Sequence, residues 1–220
     1  MRQVPVGFIF IALLAAGVAF VAYQVEQKRK AGARLIAAER GFHVDTDKTA
    51  PPDEPFALFN AGHSRRASYR IWRAGSDVSA FQYRYVTGSG KSRQTHDFSC
   101  VLAPTPFFAP HLRIEPEGMM SAIGRMVGIR DIEVESPGFN RLYRVRCDDE
   151  RFAITLLDPQ MIAWMLDAAS GRGAVHFEFG GAWMLASIRK MSFEELFGFY
   201  DWASWAVDHT PTVLPSLYPK

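Results

Sequence analysis

An apolar run of twenty residues, from Val4 to Tyr23, stands near the start of the chain and carries no charged side chain. A helix rises about 1.5 Å per residue, so such a run covers about 30 Å, the thickness of the hydrocarbon core of a bilayer. Tyr23 ends the run where an aromatic side chain suits the membrane–water interface. The sequence therefore predicts that residues 1–23 are a transmembrane anchor and that the remaining residues are tethered to a membrane.

A cleavable signal peptide and a buried helix of a soluble protein are two other interpretations of the run. Arg2, followed later by Gly17-Val18-Ala19, weakly resembles the basic start and the small-residue cleavage site of a signal peptide. A signal peptide, however, has an apolar centre of only about 7 to 15 residues. This run is longer and continues into a charged helical pattern, which favours an uncleaved anchor.

Positive charges lie mainly after the run. Lys and Arg resist translocation, whereas acidic residues contribute little to topology. Only Arg2 and the terminal amine precede the run, while Arg40 and four other basic residues follow it closely. The sequence predicts a single-pass protein of the cell membrane, with its amino terminus outside and its domain in the cytoplasm. The basic residues expected to face lipid are Lys28, Arg29, Lys30 and Arg34.

The two cysteines bear on the same question. Cys100 and Cys147 each lie on a strand-like segment without paired spacing, and the chain has no N-x-S/T acceptor. Two free, buried thiols fit a cytoplasmic domain. A single disulfide in an outward-facing domain is the alternative, and it would reverse the topology.

Composition divides the rest of the chain into segments. Residues 24–41 continue the helical pattern as a stalk that ends at Gly41, and residues 42–55 form a linker. Within the linker, residues 45–55 are polar and proline-rich, so little ordered structure is expected there. Residues 56–210 are enough for one domain with its own core, and residues 211–220 form a tail. The net charge of +2 is nearly neutral, so no nucleic-acid partner is indicated.

The domain is predicted to be α+β: mainly antiparallel strands with three helices. A proline-rich loop is expected between residues 103 and 111, and a hairpin over 175–188 turns at Gly180-Gly181. Asp158 and Pro159 begin one helix, and Ser192 with Glu195 forms a capping box for the last. The expected strands are 68–73, 78–86, 93–103, 111–115, 131–135 and 141–147, and the third helix is 119–127.

Motifs that could carry chemistry are weak. Residues 88–92, Gly-Ser-Gly-Lys-Ser, resemble the end of a phosphate-binding loop, but Tyr85 stands where the first glycine is required and strands lie on both sides. A hairpin turn is therefore favoured. The acidic cluster 148–150 is interpreted as a turn, and no serine or cysteine has the flanking pattern of a nucleophile elbow.

Six histidines are scattered along the chain, none with the helical spacing of a metal site. His176 and Glu178 share one face of a strand and could meet a third ligand across the hairpin, although the solvated side of the strand is the favoured interpretation. The sequence thus predicts no catalytic, cofactor-binding or metal-binding residue and no cofactor.

Two surfaces are less ordinary. Arginines on polar strand faces could form a basic surface toward anionic lipid, or simply solvated faces. The final helix, from Phe193 to Val207, is apolar nearly all round, so it is either sandwiched in the core or exposes a patch to a partner. The arginines are Arg65, Arg66, Arg70, Arg73, Arg84, Arg144 and Arg146, and the patch would consist of Phe199, Trp202 and Trp205.

A set of core and turn residues in the second half of the chain carries a family resemblance. The set is Phe139, Tyr143, Val145, Asp148, Ala153, Leu156-Leu157-Asp158-Pro159, Met161, Leu166, the segment 175–188 and Phe193-Glu194. With these residues the chain resembles the bacterial membrane-anchored proteins of domain-of-unknown-function family 3137, over about residues 56 to 207. The resemblance implies a bacterial membrane protein with a cytoplasmic α+β domain and without an established activity.

Two functions remain as hypotheses. The first is a non-enzymatic interaction module at the inner membrane, which presents a surface to the bilayer, to a protein partner or to a second copy of the chain. The alternative is an enzyme on a membrane-associated substrate, with a pocket built from distant residues. A deep cleft that gathers several of His96, His111, His176, Asp148 and Glu178 would favour the enzyme.

Overall fold

The computed structural model describes residues 6–117 and 131–220, with the backbone alone for 6–12 and Arg172. The expected helix 119–127 and the first residues of the apolar run lie outside this part. Helix α1 (Val6–Glu39) contains the rest of the run and the stalk. Within the part of the chain that the structure describes, no helix combines the length and the apolar character needed to cross a membrane.

An antiparallel sheet of six strands forms the centre of the fold, which confirms the α+β class. Its order is β1-β2-β3-β4-β5, and β6 pairs with β4. The strands are β1 (His43–Asp45), β2 (His63–Trp72), β3 (Ser79–Thr87), β4 (Gln94–Pro116), β5 (Tyr143–Cys147) and β6 (His176–Arg189).

The expected loop at residues 103–111 and the expected hairpin at 175–188 are both wrong, because residues 103–111 lie within β4 and residues 176–188 lie within β6, the two longest strands. β4 runs through residues 104–110 without a loop; its three prolines there lack an N–H, so the ladder is irregular but not ended. Gly180 and Gly181 do not join two mutually paired strands, because β6 pairs with β4 on both sides of them. Gly181 has φ of +58°, which suits a bulge.

β6 bends sharply at this bulge. Nδ1 of His176 lies 3.2 Å from Oγ of Ser187, eleven residues away on the same strand, whereas a straight strand would separate the two residues by about 36 Å. Each strand of the β4–β6 pair therefore bends. The segment around Phe56 packs near the bend, since a Cβ added at Gly180 would lie 3.8 Å from the Phe56 ring and the N–H of Ala57 donates to Glu178.

Two hydrophobic clusters lie on opposite faces of the sheet, because side chains alternate along each strand. The larger one joins β4, β5 and β6 to the helices, with Phe177, Phe197 and Phe199 among its members. The smaller one packs Phe59 against Phe81, Tyr83 and other residues of the sheet.

Six helices follow α1 in the described part of the chain, whereas three were expected in the domain, and four of the six are short. Asp158 and Ser192 cap their helices as predicted, accepting from the N–H of Met161 and of Glu195 at 2.8 and 3.2 Å. The acidic cluster 148–150 is not a simple turn, since Asp149 caps a helix. The helices are α2 (Ala57–Asn60), α3 (Pro137–Leu142), α4 (Glu150–Leu156), α5 (Pro159–Arg172), α6 (Phe193–Asp208) and α7 (Leu214–Leu217).

The stalk packs against the domain. Ala33 and Ala37 are buried, and Phe42, just beyond Gly41, packs edge-on against Phe197 and Tyr200 of α6. The start of the linker forms β1 against β2, so the expectation of little ordered structure in residues 45–55 is wrong at Asp45. Cross-strand pairing and the burial of Phe42 outweigh the polar composition of this segment.

Candidate functional site

A cleft lies between the stalk part of α1 and strands β2 and β3. Its volume is about 180 Å³, and five of its lining residues are lysine or arginine against two carboxylates, Glu26 and Asp97. The basic residues are Arg29, Lys48, Arg66, Arg84 and Lys190. The cleft is therefore an electropositive concavity beside the apolar segment.

Two arginines face each other on its floor. Arg66 of β2 and Arg84 of β3 are direct cross-strand partners. The guanidinium of Arg84 donates to both carboxylate oxygens of Asp97, from Nε at 2.6 Å and from Nη2 at 3.0 Å. Arg66 is exposed, and no ion pair joins it to another residue in the described ranges. The charge of Arg84 is thus neutralised, while that of Arg66 is not.

Tyr69 forms the wall on the sheet side. It has φ of +54° at a bulge of β2, an uncommon conformation for a residue with a side chain. The bulge turns its ring toward α1, where the guanidinium of Arg29 lies 5.1 Å from the ring centroid and the hydroxyl donates to Glu26 at 3.4 Å. Burial raises the pKa of Tyr69, so the hydroxyl stays protonated and remains a donor.

The four basic residues expected to face lipid have different surroundings. Arg29 lines the cleft, and Lys28 is exposed. Nζ of Lys30 donates to Asp47 at 2.7 Å, a contact that raises the pKa of Lys30 and lowers that of Asp47. Arg34 donates to the hydroxyl of Thr46 at 3.3 Å. Two of the four residues therefore hold the stalk against the segment after β1.

The strand arginines do not form one continuous basic surface. Arg73 pairs with Asp201, and Arg144 and Arg146 share Asp131. Arg65 donates to the carbonyl of Phe59 at 2.7 Å. Among the expected set, Arg66 and Arg84 line the cleft and Arg70 lines a second hollow beside Trp72.

The expected aromatic patch is partly buried. Phe199 is completely buried and therefore cannot contribute to a surface. Trp202 and Trp205 are half-buried, and both stack on Trp164 of α5, with ring centroids 4.0 and 5.3 Å apart. Trp205 also stacks on His209 at 3.9 Å. A partly exposed stack of aromatic rings thus remains at the junction of α5 and α6.

A buried polar cluster lies in the bend of β4 and β6. Oε1 of Glu178 accepts from His111 Nε2 at 2.7 Å and lies 3.5 Å from Arg113 Nε, and the backbone N–H of Ala57 donates to the same carboxylate at 3.0 Å. Glu178 is fully buried and His176 almost so. The expectation that these two residues lie on a solvated face is wrong, because the bend closes over that face.

Burial and hydrogen bonding set the protonation of this cluster. Burial alone would raise the pKa of Glu178, but the bonds from His111 and Ala57 and the charge of Arg113 lower it below its usual value. Burial lowers the pKa of His176 to about 4. Glu178 is therefore ionised and His176 neutral at pH 7, and Nε2 of His176 has no hydrogen-bond partner among the described residues.

The other candidate residues are apart from these sites. His96 bonds to Thr87 and stacks on Tyr85, and Asp148 meets His111 only through backbone atoms. Residues 88–92 connect β3 to β4, as expected for a turn. No metal-binding group of three or more His, Cys, Asp or Glu side chains occurs in the described ranges, and both cysteines are free and buried.

No family model matches the chain, and no curated protein matches it. A solved structure with a similar fold is that of the mycobacterial trehalose monomycolate transport factor A, TtfA, with a TM-score of 0.55 and 10% identity; the match covers 81% of this chain and 94% of that one. At this identity the likeness concerns the fold alone. The resemblance to domain-of-unknown-function family 3137 stays a prediction.

Sequence reasoning missed Tyr69, Lys48 and Lys190 as members of one cleft. Arg66 and Arg84 were in the expected basic surface, but nothing in the sequence set them apart from the other arginines. Their separation along the chain is large, and the register of β2 with β3 brings them together. A positive φ at Tyr69 likewise has no sequence signal, because the residue type does not favour it.

Proposed function

We propose that this protein is a single-pass membrane protein whose cytoplasmic domain is a non-enzymatic interaction module. The observation that carries the proposal is the continuity of α1, which runs without a break from the apolar segment into a stalk packed on the domain. Leu13, Leu14, Val18 and Val21 leave more than half of their surfaces exposed. Insertion of this apolar face into a bilayer would remove that surface from water.

The orientation in the proposal follows from the basic residues after the run, which favour a cytoplasmic domain. The free cysteines are compatible with a reducing compartment. The domain would then be fixed close to the inner leaflet rather than suspended on a flexible linker, because stalk and domain are packed together.

The partner side of the proposal rests on the aromatic stack and on the fold. Trp is among the residues most enriched at binding hot spots, and the half-buried Trp202 and Trp205 are available for such contacts. The protein with the similar fold is described as a transport factor. We include in the proposal an accessory role in transport at the membrane.

The alternative, an enzyme, has one observation in its favour. A carboxylate that bonds to a histidine can orient that histidine as a general base. Glu178 bonds to His111 in this way, and 35% of the His111 side chain is exposed. The same carboxylate, however, is fully buried and bonds to the backbone of α2. These bonds assign Glu178 to holding the fold together, so we favour the module.

Membrane extraction tests the anchor. The full chain should stay in the membrane pellet after alkaline carbonate washing, and the double variant Leu14→Arg/Val18→Arg should move to the supernatant, since an arginine at the centre of a span costs about 3 kcal/mol. Val25→Arg/Leu35→Arg, which changes two exposed apolar residues beyond the run, is the matched control. Equal pelleting of both variants would contradict the anchor.

A reporter fused after Lys220 tests the orientation. We expect a reporter that works only in the cytoplasm to be active and one that works only outside to be inactive. Co-purification from detergent then tests the partner surface: an unchanged set of partners in the Trp202→Ala/Trp205→Ala double variant would remove the aromatic stack from the proposal.

A further inference from the structure

The cleft between α1 and β2–β3 holds more positive charge than its own carboxylates neutralise. Asp97 is bound to Arg84, and Glu26 accepts from the hydroxyl of Tyr69. Among the described residues, Arg84 is the one basic residue of the cleft that an ion pair reaches. The other four basic side chains thus surround one concavity without a carboxylate partner, which is the electrostatic arrangement that attracts an anion.

The opposition of Arg66 and Arg84 strengthens this inference. Like charges directly opposite on neighbouring strands destabilise a sheet. Asp97 offsets only one of the two charges. An anion bound between the guanidinium groups would balance the remaining charge of Arg66, and a guanidinium presents paired N–H donors that match phosphate oxygens.

Size limits the ligand. The volume of the cleft, about 180 Å³, is several times the volume that one water molecule occupies in the liquid, about 30 Å³. It is smaller than the pockets of about 300 to 1,000 Å³ that enclose a whole small molecule. A phosphate group with part of its hydration fits this space. The remainder of such a ligand would extend outside the cleft.

The position along α1 indicates where such a ligand would come from. If Tyr23 lies at the membrane interface, Glu26 and Arg29 are about 4.5 and 9 Å further along the helix axis. The headgroup layer beyond the hydrocarbon core is about 5 to 7 Å thick on each side. The mouth of the cleft then lies next to the headgroups, a step that rests on the proposed anchoring.

We propose that this cleft binds the phosphate group of an anionic membrane lipid, with Arg66 as its main ligand and with Lys48 and Lys190 supplying further positive charge. The bound headgroup would fix the tilt of the domain relative to the bilayer. It would also bridge the stalk and the sheet, since Arg29 of α1 and Arg66 of β2 line the same space.

Calorimetric titration of the full chain in uncharged detergent at low salt tests the proposal. Short-chain phosphatidylglycerol, phosphatidylcholine of the same chain length and inorganic phosphate are titrated separately. We expect saturable one-to-one binding of phosphatidylglycerol and weaker binding of phosphatidylcholine, whose phosphate is balanced by its own cation. Tighter binding of phosphatidylglycerol than of inorganic phosphate supports a lipid source, and comparable binding of inorganic phosphate supports the phosphate site with a soluble source.

Variants identify the site. Arg66→Gln should weaken phosphatidylglycerol binding by about tenfold or more, as expected for the loss of a charge-assisted hydrogen bond, and Lys190→Gln should weaken it less. Arg141→Gln, an exposed arginine of α3 next to β5, removes the same charge away from the cleft and should leave affinity unchanged. All of these side chains are exposed, so unchanged thermal unfolding is the check on folding.

Two results would overturn the proposal. One is the absence of saturable binding of any of the three compounds to a chain that still stays in the membrane pellet, which would leave the anchor intact. The other is an equal effect of Arg66→Gln and Arg141→Gln. Conversely, a chain that binds phosphatidylglycerol in detergent but leaves the pellet on carbonate washing would contradict the anchor and not the cleft.

Discussion

The carboxylate of Glu178 accepts a hydrogen bond of 3.0 Å from the backbone N–H of Ala57, which lies 121 residues earlier in the chain. This contact joins α2 to the bend of β6. Because Arg113 and His111 contact the same carboxylate, one buried side chain connects three parts of the fold. The start of the domain is therefore fixed by the same residues that shape the bent pair of long strands.

Replacement of Glu178 by Gln should destabilise the domain by about 3 kcal/mol, because it removes the carboxylate from a buried charge pair and weakens the bonds that His111 and Ala57 donate to it. Urea unfolding in uncharged detergent, followed by tryptophan fluorescence, measures the change. Glu135→Gln, at an exposed position, should change the free energy of unfolding by less than about 0.5 kcal/mol. Similar losses in the two variants would mean that Glu178 is not a structural centre.

Signals within a few residues predicted local structure well. The caps at Asp158 and Ser192 each act over three residues, so the sequence contains all that is needed to place these helix starts. The bend at Gly180-Gly181 differs, because two glycines suit a tight turn and a bulge equally. What decides between them is pairing with β4, whose residues lie some seventy positions earlier. That information is not local.

The same reason explains what was missed at the candidate sites. His176 and Glu178 share a strand face, as expected, but their burial depends on the bend that closes over them. The cleft depends on the register of β2 with β3 and on the docking of α1, so neither Arg66 nor Tyr69 is distinguishable from its neighbours in the sequence. The positions of the basic residues after the apolar run predicted that they face lipid. Nothing in the pattern of charges indicated that Lys30 and Arg34 instead contact residues 46 and 47, after β1.

Stability should fall as the pH drops below 6.5, because His176 is buried in its neutral form. Its pKa is lowered by burial from 6.5 to about 4, so the unfolded chain takes up a proton before the folded one. The contribution of neutral His176 to the free energy of unfolding is complete above pH 6.5 and is lost progressively as the pH falls to 4. The total loss is about 3 kcal/mol.

The side chain of Asn can place a polar atom near the position of the histidine Nδ1 that faces Ser187. His176→Asn should therefore flatten the dependence of unfolding free energy on pH between 6.5 and 4, even if it lowers stability at pH 7. The exposed His43 offers the control His43→Asn, which should keep the wild-type slope. Urea midpoints at pH 7.5, 6 and 5 distinguish these results, and parallel curves for wild type and His176→Asn would refute the assignment.

The ring stack of Trp164 and Trp202 should carry coupling energy beyond the area that each ring buries. Their centroids are 4.0 Å apart and the rings are inclined by 12°, and such aromatic pairs contribute about 0.5 to 1.5 kcal/mol. A double-mutant cycle with Trp164→Leu and Trp202→Leu measures it from urea unfolding. A coupling energy near zero would show that the two rings pack independently, and a stack of that kind would be easily opened by a partner.

Docking of the stalk should protect the segment after it from proteases. Ala37 is fully buried against the domain, whereas its neighbour Ala38 is exposed. Ala37→Glu places a carboxylate in an apolar contact, so the undocked state should become more populated; each 1.4 kcal/mol of lost docking energy raises that population about tenfold. Tryptic cleavage after the exposed Lys48 should accelerate accordingly, since the cleavage rate follows the population of the undocked state when opening is fast.

Ala38→Glu adds the same charge one residue away and should leave the rate of cleavage after Lys48 unchanged. Equal cleavage rates in the two variants would indicate that α1 moves independently of the domain, and the domain would then lose its fixed position at the membrane.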